Sequence, residues 1–196
     1  MKKILLLLMA VIVCVGLIGA AFAYFTDTQS SAANSFTAGT VKLSLSGDLA
    51  SGINLGNMAP GDTYTGTINV TNDGTLPVWF AGYIGSWDQN MPGFINQFTV
   101  QISQVSSPTY PGNYVLVPTE SFANLIGKNN ALIDPNGPVF AALPPAQTAT
   151  YQFVITLPLA TDTSFQGKTA WAKLQFDAIQ SANFTFHDAA MKLKGQ

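Results

Sequence analysis

The sequence predicts an all-β, jelly-roll-like sandwich with an extended N-terminal strand and few short helices. Three observations predict it. Apolar and polar residues alternate along several short stretches, and Pro, Gly, Asn and Asp fill the gaps between them. Helix-period patterns are scarce. The length of 196 residues, with 17 Gly and 11 Pro, suits one domain with a sizeable core.

Lys2 and Lys3 precede the apolar run Ile4–Ala20, and Ala21-Phe22-Ala23 is a small-x-small box. These are the parts of a secretory signal, so cleavage is expected between Ala23 and Tyr24. The apolar run is also close to the roughly 20 residues that span a bilayer, so a retained anchor is the competing reading. The expected organisation is a cleaved signal at 1–23, an N-terminal arm at 24–37 and a β-sandwich domain at 38–196.

The arm reads Tyr24, Phe25, Thr26, Asp27, Thr28, Gln29, Ser30, Ser31, Ala32, Ala33, Asn34 and Ser35, then Phe36 and Thr37. Its apolar content is too low to form a helix or to bury itself well alone. Thr, Ser and Ala suit an extended strand lying in a groove, and an open sheet edge on another subunit would accept it. Donor and acceptor surfaces differ in such a contact, so a rotation that does not close gives a filament. Folding back on its own subunit, or remaining disordered, is the alternative.

Val41, Leu43 and Leu45 alternate with Lys42 and Ser44, the period of a half-buried strand. Pro60-Gly61-Asp62 is a turn, and Tyr64, Gly66, Ile68 and Val70 mark the next strand. Asn72-Asp73-Gly74 is a tight-turn signal before Pro77–Ile84, which is apolar on both faces and reads as a central strand. Phe98, Val100 and Ile102 mark a further strand. Leu143-Pro144-Pro145 punctuates the chain before Tyr151, Phe153, Ile155 and Leu157. Thr169–Gln180 is the last long strand, with Ala170, Ala172, Leu174, Phe176 and Ala178 on one face. Ser121–Gly127 predicts one or two helical turns. Residues 86–96 and 104–149 otherwise read as loops and short excursions.

Composition excludes several functions. Beyond Ala23 the chain keeps six lysines and all ten acids, a net charge of −4, and it contains no arginine. That argues against nucleic-acid binding, where Lys/Arg clusters supply the affinity. Cys14 is the one cysteine, so the mature chain has no disulfide or thiol chemistry. One His (His187) and one Glu (Glu120) rule out the paired-histidine zinc motif. No nucleophile elbow or phosphate loop is present. No catalytic residue, metal ligand or cofactor site is assigned. Asp27, Asp48, Asp62, Asp73, Asp88, Asp134 and Asp162 lie in the arm or in turns, where they are expected to bond backbone. A hydrolase of unrecognised type would have to depend on His187 or Glu120.

Trp79, Trp87, Trp171, Tyr83, Tyr110 and Tyr114 are read as packing residues, with a sugar-stacking surface as the alternative. Asn69-Val70-Thr71 and Asn183-Phe184-Thr185 are candidate glycosylation sequons at Asn69 and Asn183.

Five motifs in order carry a resemblance. They are AYFTDT at 23–28, FTAGTVKL at 36–43, INLGNMAPGD at 53–62, INVTNDGTL at 68–76 and AKLQF at 172–176. In this the chain resembles the TasA/camelysin family, exported β-sandwich proteins that form biofilm matrix fibres, and related archaeal bundling pili. The resemblance implies a jelly-roll sandwich that polymerises by donor-strand complementation, with Tyr24–Ser35 as the donor strand and the acceptor groove in the next subunit. It implies a homopolymer at the cell surface or in the biofilm matrix, bundled with neighbouring filaments, that meets the membrane only during export. Some members are described as metalloproteases. This chain lacks a zinc-ligand pair, so that activity is not carried over. A secreted monomeric carbohydrate-binding or adhesin module is the alternative.

Overall fold

The structure is a computed structural model that describes residues 39–108, 112–130, 132–133, 142–182 and 185–194. Strands β1 (Leu43–Ser46), β2 (Ile53–Asn54), β3 (Thr63–Asn72), β4 (Val78–Gln89) and β5 (Thr99–Ser106) come first. They are followed by β6 (Tyr114–Ser121), β7 (Leu132–Ile133), β8 (Thr148–Thr156), β9 (Ala170–Gln180) and helix α1 (Phe186–Leu193). One sheet has the order β1-β3-β8-β5-β6 and the other β2-β9-β4-β7. All named strand pairs are antiparallel. The all-β sandwich expected from the alternation is what the chain forms.

The alternating residues build the core. In β3, Gly66, Ile68, Val70 and Asn72 are buried, while the residues between them are half-buried or exposed. In β8, Ala149, Tyr151, Phe153 and Ile155 face the same interior. They meet Val78, Phe80, Ile84, Ala170, Ala172 and Leu174 of the opposite sheet in one continuous cluster. Edge-to-face contact of Phe80 with Tyr151, at 6.1 Å between ring centres, locks the two sheets together. On the outer face of the larger sheet threonines pair across strands. Thr63 and Thr156 hydroxyls lie 3.0 Å apart. Those of Thr71 and Thr148 lie 2.8 Å apart.

Asn72-Asp73-Gly74 is a turn, but it joins strands of different sheets instead of closing a hairpin. Asn72 is fully buried there. Its Oδ1 accepts from the Gly74 N–H at 2.9 Å. Its Nδ2 donates to the carbonyls of Leu76 and Leu143, both at 2.9 Å. Its own N–H and C=O pair with Gln147 and Ala146. One side chain thus ties the β3–β4 crossing to the segment that precedes β8, with every polar group satisfied.

Three sequence expectations need correction. Residues 86–89 continue β4 and Tyr114–Ser121 forms β6, so neither is loop. The first stretch, Ser86–Gln89, is mostly polar and exposed, and the second carries Pro118 and two register shifts, so neither shows a clean period. The helical turn expected at Ser121–Gly127 is 3₁₀, at Phe122–Leu125, with Gly127 at φ +86° after it. Helix α1 was not expected at all. The Thr185 hydroxyl accepts from the Asp188 N–H and donates to the Asp188 carboxylate at 2.6 Å, a reciprocal N-terminal cap. Those bonds hold the Asp188 carboxyl below its ordinary value. The cap is therefore present above the unfolded pKa and lost as pH falls through the depressed folded one. Helix α1 should loosen in strong acid, an effect absent in Asp188→Asn and visible by circular dichroism.

Candidate functional site: an unpaired sheet edge

Strand β9 pairs with β4 from Ala170 to Gln180, but β2 covers its other side only at Trp171 and Ala172. The chain turns away at Gly52, whose φ of +121° suits glycine alone. From Lys173 to Gln180 no described strand lies beside that edge.

Strand alternation decides which groups face it. The Ala170 carbonyl accepts from Leu55 N on the β2 side. The Thr169 carbonyl accepts from Asn90 N, and Ser181 N donates to the Pro77 carbonyl, on the β4 side. Both main-chain groups of Leu174, Phe176 and Ala178 therefore point to the unpaired side. Burial reports the same thing. On the inner face Ala170, Ala172 and Leu174 are buried, but Phe176 and Ala178, beside which no described strand lies, are only half-buried. The Phe176 ring lies over Gly82 of β4, where a Cβ would meet it at 2.7 Å.

A groove of about 570 Å³ runs along this edge. Val41, Lys42 and Leu43 form one wall and Phe176–Ile179 the other, with Lys128, Lys192 and Leu193 on the rim. Asp177 points outward, where Lys128 Nζ lies 2.9 Å from it and the Tyr83 hydroxyl donates at 3.4 Å. Burial, and then the Asp177 carboxylate, pushes the Tyr83 hydroxyl above its ordinary value. The bond to Asp177 likewise raises Lys128 above its ordinary value. Gly39, the first described residue, sits against Leu76. The Thr40 N–H bonds the Thr75 hydroxyl. Pro77 follows these two contacts and bonds Ser181, so the arm joins the domain beside the C-terminal end of β9.

The outer edges of the five-stranded sheet are blunted. β1 is four residues long, and Lys42 beside it lies 4.0 Å from Asp73. Its alternation does not produce burial: Leu43 is half-buried, while Val41 and Leu45 are exposed. β6 carries Pro118, which has no N–H to give, and its register against β5 shifts twice. Short length, lysine, proline and bulges are the devices by which edges avoid adventitious pairing. From Leu174 to Gln180 β9 carries no lysine and no proline, and its register against β4 does not shift.

The residues singled out in the sequence scatter. Ala23 and the donor segment Tyr24–Ser35 lie outside the described residues, as do Asp27, Asp134, Tyr110 and Asn183. Asn69 is on the outer face of β3, where its Nδ2 donates to Ser46 Oγ and its Oδ1 accepts from Thr150. Asp62 and Asp162 accept bonds from local backbone N–H groups, as turn-forming residues do. Asp48 instead accepts from the Thr67 N–H and hydroxyl on β3, and Asp88 lies within β4, not in a turn. Trp79 and Tyr83 are packed beneath α1 with Leu193, whereas Trp87 and Trp171 are 41% and 46% exposed. His187 is exposed on α1. Glu120, on β6, accepts from Asn124. Nothing in one sequence reveals the β9 edge, since it is defined by which strand is missing beside it.

The fold defines a class, an antiparallel β-sandwich, in which no described strand lies beside β9 from Lys173 to Gln180. In sequence, the model of the family described as camelysin metallo-endopeptidase matches residues 1–80, in agreement with the TasA/camelysin resemblance of the motifs. The family's printed name implies a metal, and the donor set here does not fit one. The chain has a single His and a single Cys, and among the described residues no three His, Cys, Asp or Glu side chains come together. Among the described residues no helix is long and apolar enough to cross a membrane. No curated protein matches the chain. A solved structure of infectious bursal disease virus, Gx strain, is similar at 10% identity and a TM-score of 0.34, covering 78% of this chain and 34% of that one. This chain thus spans about a third of that protein's length, and so distant a likeness carries no functional argument.

Proposed function

We propose that the protein is a structural subunit of an extracellular filament, a biofilm matrix fibre or pilus, that polymerises by donor-strand complementation. Export would free Tyr24 after cleavage at Ala23, and Tyr24–Ser35 of one subunit would complete a sheet of the next. The observation that carries this reading is the long β9 edge from Lys173 to Gln180, beside which no described strand lies, in a chain whose sequence suits an extended arm ahead of the domain. Inserting a strand would satisfy the main-chain groups of that edge and cover half-exposed Phe176 and Ala178. The match to the camelysin family over residues 1–80 supports it. The low charge, and the many Thr, Ser, Asn and Gln side chains, suit fibre-to-fibre contact in bundles.

Electron microscopy of the chain from Tyr24 to Gln196 tests the reading. Thin filaments with a regular axial repeat are expected, and dispersed folded monomers would overturn it. Replacing Phe25 with Asp should slow assembly at least about tenfold, because burying a Phe side chain is worth roughly 1.5–3 kcal/mol. Unchanged assembly kinetics would exclude Phe25 from the contact.

A second reading rests on one observation. Asn54, Trp171 and Asp88 form a transverse row on the outer face of β2, β9 and β4, over a groove of about 470 Å³. An exposed indole flanked by an amide and a carboxylate can stack on a sugar ring and bond its hydroxyls. A monomer that binds polysaccharide in a pull-down, and loses it in Trp171→Ala, would support this carbohydrate-binding module instead.

A further inference from the structure

We infer that the outer face of the smaller sheet, centred on Trp171, binds a neutral polysaccharide of hexopyranose units lying along β9, and that the face stays open to it when the β9 edge is filled. The inference rests on the sugar-stacking reading of Trp171. It adds the path of the glycan, its charge class and its compatibility with a filament.

Alternation puts Trp171, Lys173 and Gln175 on the outer face of β9, with Ala170, Ala172 and Leu174 buried behind them. The register partners of Trp171 are Asn54 on β2 and Asp88 on β4. Each lies about 4.8 Å across the sheet. The Asn54 Oδ1 accepts from the Gly56 N–H at 2.9 Å, which turns its Nδ2 outward as a donor. The Asp88 Oδ1 accepts from the Gln89 N–H at 2.8 Å, which leaves its Oδ2 as an acceptor. An aromatic plane with a donor on one side and an acceptor on the other matches a pyranose ring, which has an apolar C–H face and hydroxyls around its rim. Local backbone already holds both polar groups, so little ordering is left for the ligand to impose.

Two hollows set the path. One, of about 470 Å³, follows β9 from Thr169 to Ala172 between the β2 and β4 sides. The second, of about 340 Å³, follows it from Lys173 to Gln175 beside Gly85 and Ser86. Gly85 lies in the bulge of β4, and a Cβ there would run into the Gln175 side chain. From Thr169 to Gln175 the path covers about 20 Å at roughly 3.3 Å per residue, room for a short run of linked rings. Beyond Gln175 the face closes, because its register partner Tyr83 packs beneath α1 with Leu193.

Charge selects the class of polymer. Asp88 and Lys173 are the charged residues lining these hollows, and they cancel. The mature chain, with six lysines and ten acids, repels a polyanion, whereas a neutral glycan meets no such penalty. The site also uses the face of β9 and not its edge. At Trp171 both edges are taken, by β2 and by β4, so a strand added from Lys173 to Gln180 leaves the indole uncovered.

The test titrates cello-, chito- and manno-oligosaccharides, with oligogalacturonate as the acidic comparison, into the chain Tyr24–Gln196 as monomer and as filaments, followed by calorimetry and tryptophan emission. Saturable binding of a neutral oligosaccharide is expected in both states, changing little with added salt. Trp171→Ala should weaken it at least about tenfold while keeping the melting temperature within a few degrees. Trp87→Ala should leave it unchanged, because Trp87 pairs in register with Ala172 and so belongs to the other face of the sheet. Ser86→Phe, which fills the second hollow, should weaken longer oligosaccharides and spare the disaccharide. Parental affinity at every length in Ser86→Phe would overturn the path. Tighter binding of oligogalacturonate would overturn the charge class. Binding by monomers that filaments lack would overturn the compatibility. Binding that survives Trp171→Ala would overturn this site and leave the carbohydrate-binding reading standing. No binding of any of these sugars to the parent would sink this inference and the carbohydrate-binding reading together, and leave the filament reading standing.

Discussion

Deleting Tyr24–Ser35 from the mature chain is expected to leave a folded monomer that forms no filaments. Residues Gly39–Gln196 make a compact unit by themselves. Among the described residues the core cluster runs from Leu49 to Leu174, inside that unit. Fold stability should therefore survive the deletion. What disappears is the segment proposed to satisfy the main-chain groups of Leu174, Phe176 and Ala178. Sedimentation and electron microscopy would show a monodisperse monomer, with a far-ultraviolet spectrum typical of β-sheet. A synthetic peptide of Tyr24–Ser35 should bind this monomer. At a peptide concentration 100 times its Kd, linkage predicts about 2.7 kcal/mol of stabilisation. That corresponds to a rise in melting temperature of about 5–10 °C for a domain of this size. Normal filaments from the truncated chain would defeat the donor-strand idea. Filament loss accompanied by unfolding would show instead that the arm belongs to its own subunit.

Much of the sandwich was legible in the sequence, and the reason is local. Ile68 and Val70 on β3, and Tyr151, Phe153 and Ile155 on β8, alternate with polar residues because one face of each strand is buried. Pro77–Ile84 is apolar on both faces, and α1 explains why: Trp79, Ala81 and Tyr83 face outward but pack beneath Leu193. The helix itself left a weak signal. Thr185 and Asp188 have the spacing of a capping pair, yet the helix that follows is only 8 residues long. β6 escaped notice because an edge strand with Pro118 and two register shifts has no clean period. The β9 edge was illegible for a different reason. Its sequence from Ala170 to Gln180 reads as an ordinary interior strand. Only the placement of β2, a two-residue strand more than a hundred positions earlier, leaves most of it with no described strand alongside. Asn72 was likewise readable as a turn residue, but not as the tie between the two sheets.

Asn72→Ala should be the most damaging single substitution away from the hydrophobic core. It removes two donors and one acceptor from a fully buried site. The Leu76 carbonyl and the Gly74 N–H lose the partner the side chain gave them, while the Leu143 carbonyl keeps a bond from Val78 N. Each buried group left without a partner costs about 1–3 kcal/mol, so a loss of about 3 kcal/mol is expected in equilibrium denaturation. Asn72→Asp separates the contributions. Its carboxylate can still accept from Gly74 N, but at neutral pH it would face the Leu76 and Leu143 carbonyls without a proton to give. Burial beside two carbonyls raises the folded pKa of such a group above its unfolded value. The folded state then binds the extra proton, so this variant should gain stability as pH falls through the raised pKa. Recovery in Asn72→Asp near pH 5, with none in Asn72→Ala, would establish that the amide's donors hold the crossing. Equal stability of both variants and the parent would mean that the turn is held by its backbone alone, and that the two sheets do not depend on this side chain to meet.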